Sequence, residues 1–102
     1  MVVDLKANEL VLKAGDSNYF IDDKSIDGKL ILTNQRVYFK TKEDNNYNYN
    51  LEILPDEIKE ILFFNTMKIL PNGLNIILKK GKHLKFKIGK RNSWGEALNR
   101  IY

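Results

Sequence analysis

Gly28-Lys29-Leu30-Ile31-Leu32-Thr33-Asn34-Gln35-Arg36-Val37-Tyr38-Phe39 is the stretch whose reading decides the fold of this chain. Two apolar-rich runs flank the turn-forming pair Asn34-Gln35, which is the pattern of a β-hairpin. A two-residue turn sets Leu32 opposite Val37 and Leu30 opposite Phe39 on one face. Ile31 opposite Tyr38 and Lys29 opposite Lys40 then share the other face. A slip of one residue would turn the whole apolar set towards water, so the pattern specifies the register.

On the N-terminal side, Glu9 to Lys13 reads as a short strand and Ala14-Gly15-Asp16 as a turn. Ser17 to Ile21 continues that strand or starts another. Asp22 to Gly28 reads as an acidic loop holding one apolar residue, Ile26. Beyond the hairpin, Thr41 to Asn50 is rich in Asn and charge, and its second half leads into a period-two run of Tyr47, Tyr49, Leu51 and Ile53. Pro55 ends that run because it lacks a ladder donor. Ile58 to Thr66 has the length of a strand, although Pro55-Asp56-Glu57 can also open a helical turn.

Pro71-Asn72-Gly73 reads as a turn. A second hairpin follows, in which Leu74, Ile76 and Leu78 alternate with polar residues, as do Leu84, Phe86 and Ile88. A three-residue loop, Lys80-Gly81-Lys82, sets Leu78 opposite Leu84, Ile76 opposite Phe86 and Leu74 opposite Ile88. Ile77, Lys79, His83, Lys85 and Lys87 are left on the outer face. The chain closes on a helix: Ser93-Trp94-Gly95-Glu96 has capping-box spacing, and Trp94, Leu98 and Ile101 form one apolar stripe.

The 102 residues suit a single domain spanning 1–102. The chain has no cysteine, which removes disulfides, thiolate chemistry and Cys-ligated zinc together. No signal peptide and no stretch of membrane-spanning length is legible, so the expectation is a soluble cytoplasmic domain. The net charge of +4 is unevenly spread. Eight cations stand against twelve acids through Glu60 (net −4), and nine cations against one acid, Glu96, beyond it (net +8). That asymmetry points to a polyanionic partner, or to a basic segment folded against an acidic one.

Enzyme readings fail on inventory. His83 is the only histidine and falls on an outer face, the reading of an exposed surface residue. Asp22-Asp23 with Asp27 lacks the alternating ligand pattern of a calcium loop. The six glycines are dispersed and form neither a P-loop nor a dinucleotide fingerprint. No catalytic residue, metal site or cofactor is expected.

The ordered set Asn8-Glu9-Leu10-Val11-Leu12, Asn18-Tyr19-Phe20, Gly28 to Asn34 with Arg36-Val37-Tyr38-Phe39, Ile53-Leu54, Ile58, Ile61, Pro71-Asn72-Gly73-Leu74, Lys80-Gly81-Lys82, Phe86 and Trp94 spans nearly the whole chain. It resembles the GRAM branch of the pleckstrin-homology-like superfamily, particularly small bacterial GRAM-type proteins. The resemblance implies a mainly β fold: a barrel of two near-orthogonal antiparallel sheets, about seven strands in all, capped by one C-terminal helix. It also implies a non-catalytic binding module. Phosphoinositide-binding relatives use the loops after the first, third and sixth strands. Of the corresponding segments here, Asp22 to Asp27 and Lys42 to Asn46 are not basic, and only Lys80-Gly81-Lys82 is cationic.

The expected contact is therefore broader, an anionic membrane surface or a protein at the inner face of the membrane, met by Lys79, Lys80, Lys82, Lys85, Lys87, Lys90 and Arg91. The rival function for those lysines is solubility of an exposed sheet. Nucleic acid is the less favoured polyanion, because this reading interleaves no exposed aromatics with the lysines. Protein interaction or a homo-oligomeric scaffold is the alternative class, with Tyr47, Tyr49, Phe63, Phe64, Met67 and Ile77 as contributors.

Overall fold

The computed structural model describes residues 5–42 and 49–102. Its elements are β1 (Val11–Ile21), β2 (Lys24–Thr33), β3 (Val37–Thr41), β4 (Leu51–Ile53), β5 (Ile58–Thr66), β6 (Leu70–Leu78), β7 (His83–Ile88) and α1 (Arg91–Asn99). A 3₁₀ turn, Pro55–Glu57, joins β4 to β5. The seven strands form one antiparallel sheet in the order β4-β3-β2-β1-β7-β6-β5, curled into a half-barrel whose end α1 caps.

The central hairpin keeps the register read from its sequence. Leu32 faces Val37, Leu30 faces Phe39 and Lys29 faces Lys40. Gly28 is required at its foot, because a Cβ there would stand 2.5 Å from the Phe39 ring. The inward residues build one core, with Tyr19, Phe39 and Phe86 at its centre and ring centroids 5.3–5.7 Å apart. Trp94 and Leu98 of α1 close over it, both buried, and Ile101 packs at the rim.

Several local expectations are corrected. Ala14-Gly15-Asp16 is not a turn: β1 runs from Val11 to Ile21, and these three residues are held extended by pairing with Ile31, Leu30 and Lys29 of β2. The acidic loop shrinks to the turn Asp22-Asp23, and Ser25 to Gly28 lie in β2 with Ile26 buried. Pro71-Asn72-Gly73 lies inside β6, where Pro71 sits at a bulge that leaves its missing N–H without consequence. The turn falls earlier, at Met67 and Lys68, which both adopt left-handed φ. The last hairpin has a three-residue loop, but it is Lys79-Lys80-Gly81. Leu78 N–H donates to Lys82 O, Ile76 faces Leu84 and Leu74 faces Phe86. A shift of two residues preserves the inward face, so periodicity alone could not see it.

Finally, the Ser93 capping box does not form. The helix begins at Arg91 after Lys90 in left-handed conformation, and Ser93 Oγ instead accepts a 2.8 Å bond from Lys13 Nζ. Tyr49 packs against the core below β4, and Tyr47 lies outside the described residues.

Candidate anionic-surface interface

Strand pairing arranges the outer face of the sheet into rows. One row runs Ser25, Phe20, Lys85, Asn75, Leu62, and the next Asp27, Asn18, Lys87, Gly73, Phe64. Lys85 and Lys87 therefore stand side by side on one face, as the alternation of β7 requires. His83 and Ile77 share that face, but Ile77 is buried and His83 Nδ1 accepts a 3.0 Å bond from the Asn75 amide.

Phe20 and Phe64, both half-buried, belong to this surface as well. Their rings meet edge to face with centroids 6.4 Å apart, and Lys85 Nζ stands 5.9 Å from the Phe64 centroid. The expectation concerned exposed aromatics among the lysines and did not place these two half-buried rings beside them. The residue that had to turn inward, Phe86, does so completely. The two phenylalanines were missed because only strand pairing brings β1 and β5 to either side of β7.

The remaining cations divide between the two ends of the half-barrel. At one end the β6–β7 loop carries Lys79, Lys80 and, just past it, Lys82, all exposed. Asp56 and Glu57 line a shallow depression with Lys79 and Lys80, and the Lys79 N–H donates to Glu57 O at 2.8 Å. The Asp22-Asp23 turn lies at the same end, because β1 and β7 pair antiparallel with Phe20 beside Lys85. Charge there is mixed. Residues 43–48 of the β3–β4 connection lie outside the described residues.

The opposite end holds Lys68, Lys90 and Arg91, together with Lys13 and Arg100, and Lys87 near its rim. Among the described residues, the exposed acids near this end include Asp16 and Asp27, which share a shallow groove with Lys42 and Lys87, and Glu96 on the helix. Arg91 is committed to structure. Its guanidinium lies over the Phe63 ring at 4.9 Å and donates to Asn65 Oδ1 at 3.1 Å, tying α1 to β5. The same junction explains Gly95, where a Cβ would come within 2.5 Å of Phe63. Among the described residues, Lys79, Lys80, Lys82, Lys85, Lys87 and Lys90 form no ion pair.

The β5–β6 hairpin overhangs this end. Its pairing continues to Thr66 opposite Leu70, whereas pairing of β6 with β7 stops at Gly73 opposite Lys87. Met67 is 82% exposed, Ile69 79% and Leu70 39%. Met67, Phe63 and Phe64 came from the sequence as interaction candidates, while Ile69 and Leu70 did not, because a misplaced turn at Pro71 hid the tip.

A second arrangement went unread and is structural. Glu9 and Arg36 form a buried ion pair, with Arg36 Nε 2.7 Å from Glu9 Oε2 and its Nη2 2.8 Å from Oε1. Arg36 also reaches Glu52 at 2.8 Å and lies over the Tyr38 ring at 4.0 Å. Thr33 Oγ1 donates to Glu9 at 2.6 Å and accepts from the Arg36 N–H at 3.0 Å. The Arg36 hydrogen bonds hold the Glu9 carboxyl down from 4.5 to about 2, against the opposing effect of burial.

Among the described residues no cluster of three or more metal-ligating side chains occurs, and no helix is long and apolar enough to cross a membrane. Compared with protein-family models and with curated protein sequences, the chain matches none. Solved structures do match. The crystal structure of the C-terminal domain of an unknown protein from Leishmania infantum superposes with a TM-score of 0.80 at 19% identity, over 93% of this chain and 85% of that one. The Vps36 N-terminal PH domain superposes with a TM-score of 0.73 at 14% identity, over 95% of this chain and 81% of that one.

The fold is pleckstrin-homology-like. Identities this low carry the architecture alone, and a pleckstrin-homology-like barrel hosts unrelated ligands. Among the described residues of this chain, charge is mixed at the end of the β1–β2 and β6–β7 loops, and cations outnumber acids at the other end, which carries the apolar projection.

Proposed function

We propose that this chain is a non-catalytic, GRAM-type pleckstrin-homology-like domain of the cytoplasm that attaches weakly to an anionic membrane surface. The contact is the basic stretch from Lys79 to Lys90, weighted towards Lys85, Lys87 and Lys90. The observation that carries this reading is the pair Lys85 and Lys87, exposed side by side and outside any ion pair among the described residues. Each well-placed lysine adds about 1 kcal/mol at such a surface and is screened by salt. Lys79, Lys80 and Lys82 contribute less, because Asp56 and Glu57 stand beside the loop that carries them. Arg91 serves the α1–β5 junction rather than the ligand.

Flotation with neutral and anionic vesicles at low and high salt tests the reading. Binding is expected to anionic vesicles only and to weaken with salt. The double variant Lys85→Glu, Lys87→Glu is expected to lose that binding while its unfolding free energy changes by no more than about 0.5 kcal/mol, as for exposed positions generally. Unchanged binding of that variant rejects the site.

Protein contact is the second reading, favoured by the position of β5 at the edge of the sheet with Leu62 and Phe63 about half exposed. It predicts concentration-dependent mass and no response to lipid.

A further inference from the structure

We infer that the tip of the β5–β6 hairpin, Met67-Lys68-Ile69-Leu70, is a wedge that enters the acyl boundary of an anionic bilayer; this rests on the membrane reading above. The tip is built at a cost. Met67 and Lys68 hold φ of 49° and 68°, a conformation that glycine or asparagine adopts far more readily. Met67 and Ile69 are about four-fifths exposed, so their side chains leave most of their surface in water. A turn needed only to reverse the chain would use small polar residues in both respects.

The shape and charge of the tip select its occupant. β6 runs three residues beyond its last partner on β7, about 10 Å of strand, which matches the depth to which apolar faces bury at a membrane interface. A narrow projection suits a fluid surface that closes around it. Lys68 at its centre can keep its ammonium among headgroups while its stem follows the apolar neighbours inward. Lys87 and Lys90 lie behind it at the same end, so the charge that draws the domain to an anionic surface brings the tip down first. Arg91 and Gly95 brace the hairpin against α1 through Phe63, which gives the projection a rigid base.

The lack of cysteine makes the test clean. The variants Ile69→Cys and Lys80→Cys each carry one thiol for an environment-sensitive fluorophore, and vesicles carrying brominated acyl chains quench only a label that reaches them. Insertion predicts a blue shift and quenching at position 69, neither at position 80, and residual binding at high salt. It also predicts at least about tenfold weaker partitioning for the variant Met67→Asp, Ile69→Asp, with its thermal midpoint unchanged. Binding without quenching at position 69 overturns the wedge and leaves the electrostatic contact standing. Binding to no vesicle overturns both. A blue shift at position 69 that grows with protein concentration in the absence of vesicles also overturns it and assigns the tip to a second copy.

Discussion

Two hairpins of this sheet are built in opposite ways. The turn between β2 and β3 is covered: the Asn34 carboxamide bonds the backbone of Leu10 and Asn8, Gln35 bonds Ala7 O, and Arg36 beneath them pairs with a Glu9 carboxylate sealed from water. The turn between β5 and β6 is bare, with Met67 and Ile69 facing outward and two residues held in left-handed conformation. The first turn commits the side chains of Asn34, Gln35 and Arg36 to the fold. In the second, local strain and exposed apolar surface coincide, and no partner among the described residues covers Met67 or Ile69. Lys90 is left-handed as well, but among the described residues only the β5–β6 tip, at Met67, puts that strain on a large exposed apolar side chain, the kind of local conflict expected at functional or strained sites.

Removing the buried cation should produce the largest contrast. Arg36→Ala leaves Glu9 charged and unpaired, and the expected loss is about 3–5 kcal/mol, read by urea unfolding. A loss below about 1 kcal/mol would mean that the segment before β1 does not depend on the pair, and the two turns would be less different than their contacts suggest.

Acid reaches the same contact more gradually. The carboxyl of Glu9 titrates at about 2 in the fold against 4.5 without its partners, so its stabilisation is complete above pH 4.5 and is lost as pH falls from there towards 2. Glu9→Gln should flatten the fall of the thermal midpoint across that window. An unchanged slope would place the acid sensitivity elsewhere.

The smallest effect has the opposite sign. Replacing Met67-Lys68 by Asn-Gly relieves the left-handed strain and should stabilise the domain by about 1 kcal/mol in the same urea titration. Vesicle binding should fall in the same variant. Gain of stability with undiminished binding would make the tip an accident of the turn.

The legibility of the sequence follows the same division. The β2–β3 register was readable because apolar alternation on both strands and a two-residue turn admit one solution. The stripe Trp94, Leu98, Ile101 was readable for the same reason. The Glu9–Arg36 pair was not, since nothing local links residues that far apart. The β5–β6 tip was concealed by Pro71-Asn72-Gly73, whose turn chemistry was absorbed by a bulge within β6. The lysines of β7 were assigned to the correct face, but the aromatics beside them come from β1 and β5 and needed the sheet order to be seen.

That sheet order has a kinetic meaning. Every pairing joins strands that follow one another in the chain except β1 with β7, where Ser17 to Phe20 meet Lys85 to Ile88. The β1–β4 and β5–β7 meanders can each form from local contacts, whereas this short seam must close a loop containing most of the protein. Tyr19 and Phe86 are cross-strand partners in the seam, their rings tilted with centroids 5.3 Å apart, and Phe39 packs against both, so the centre of the core lies on the longest closure. Without that seam the sheet would be two separate ribbons, each with an apolar face open to water; with it, the protein has an inside.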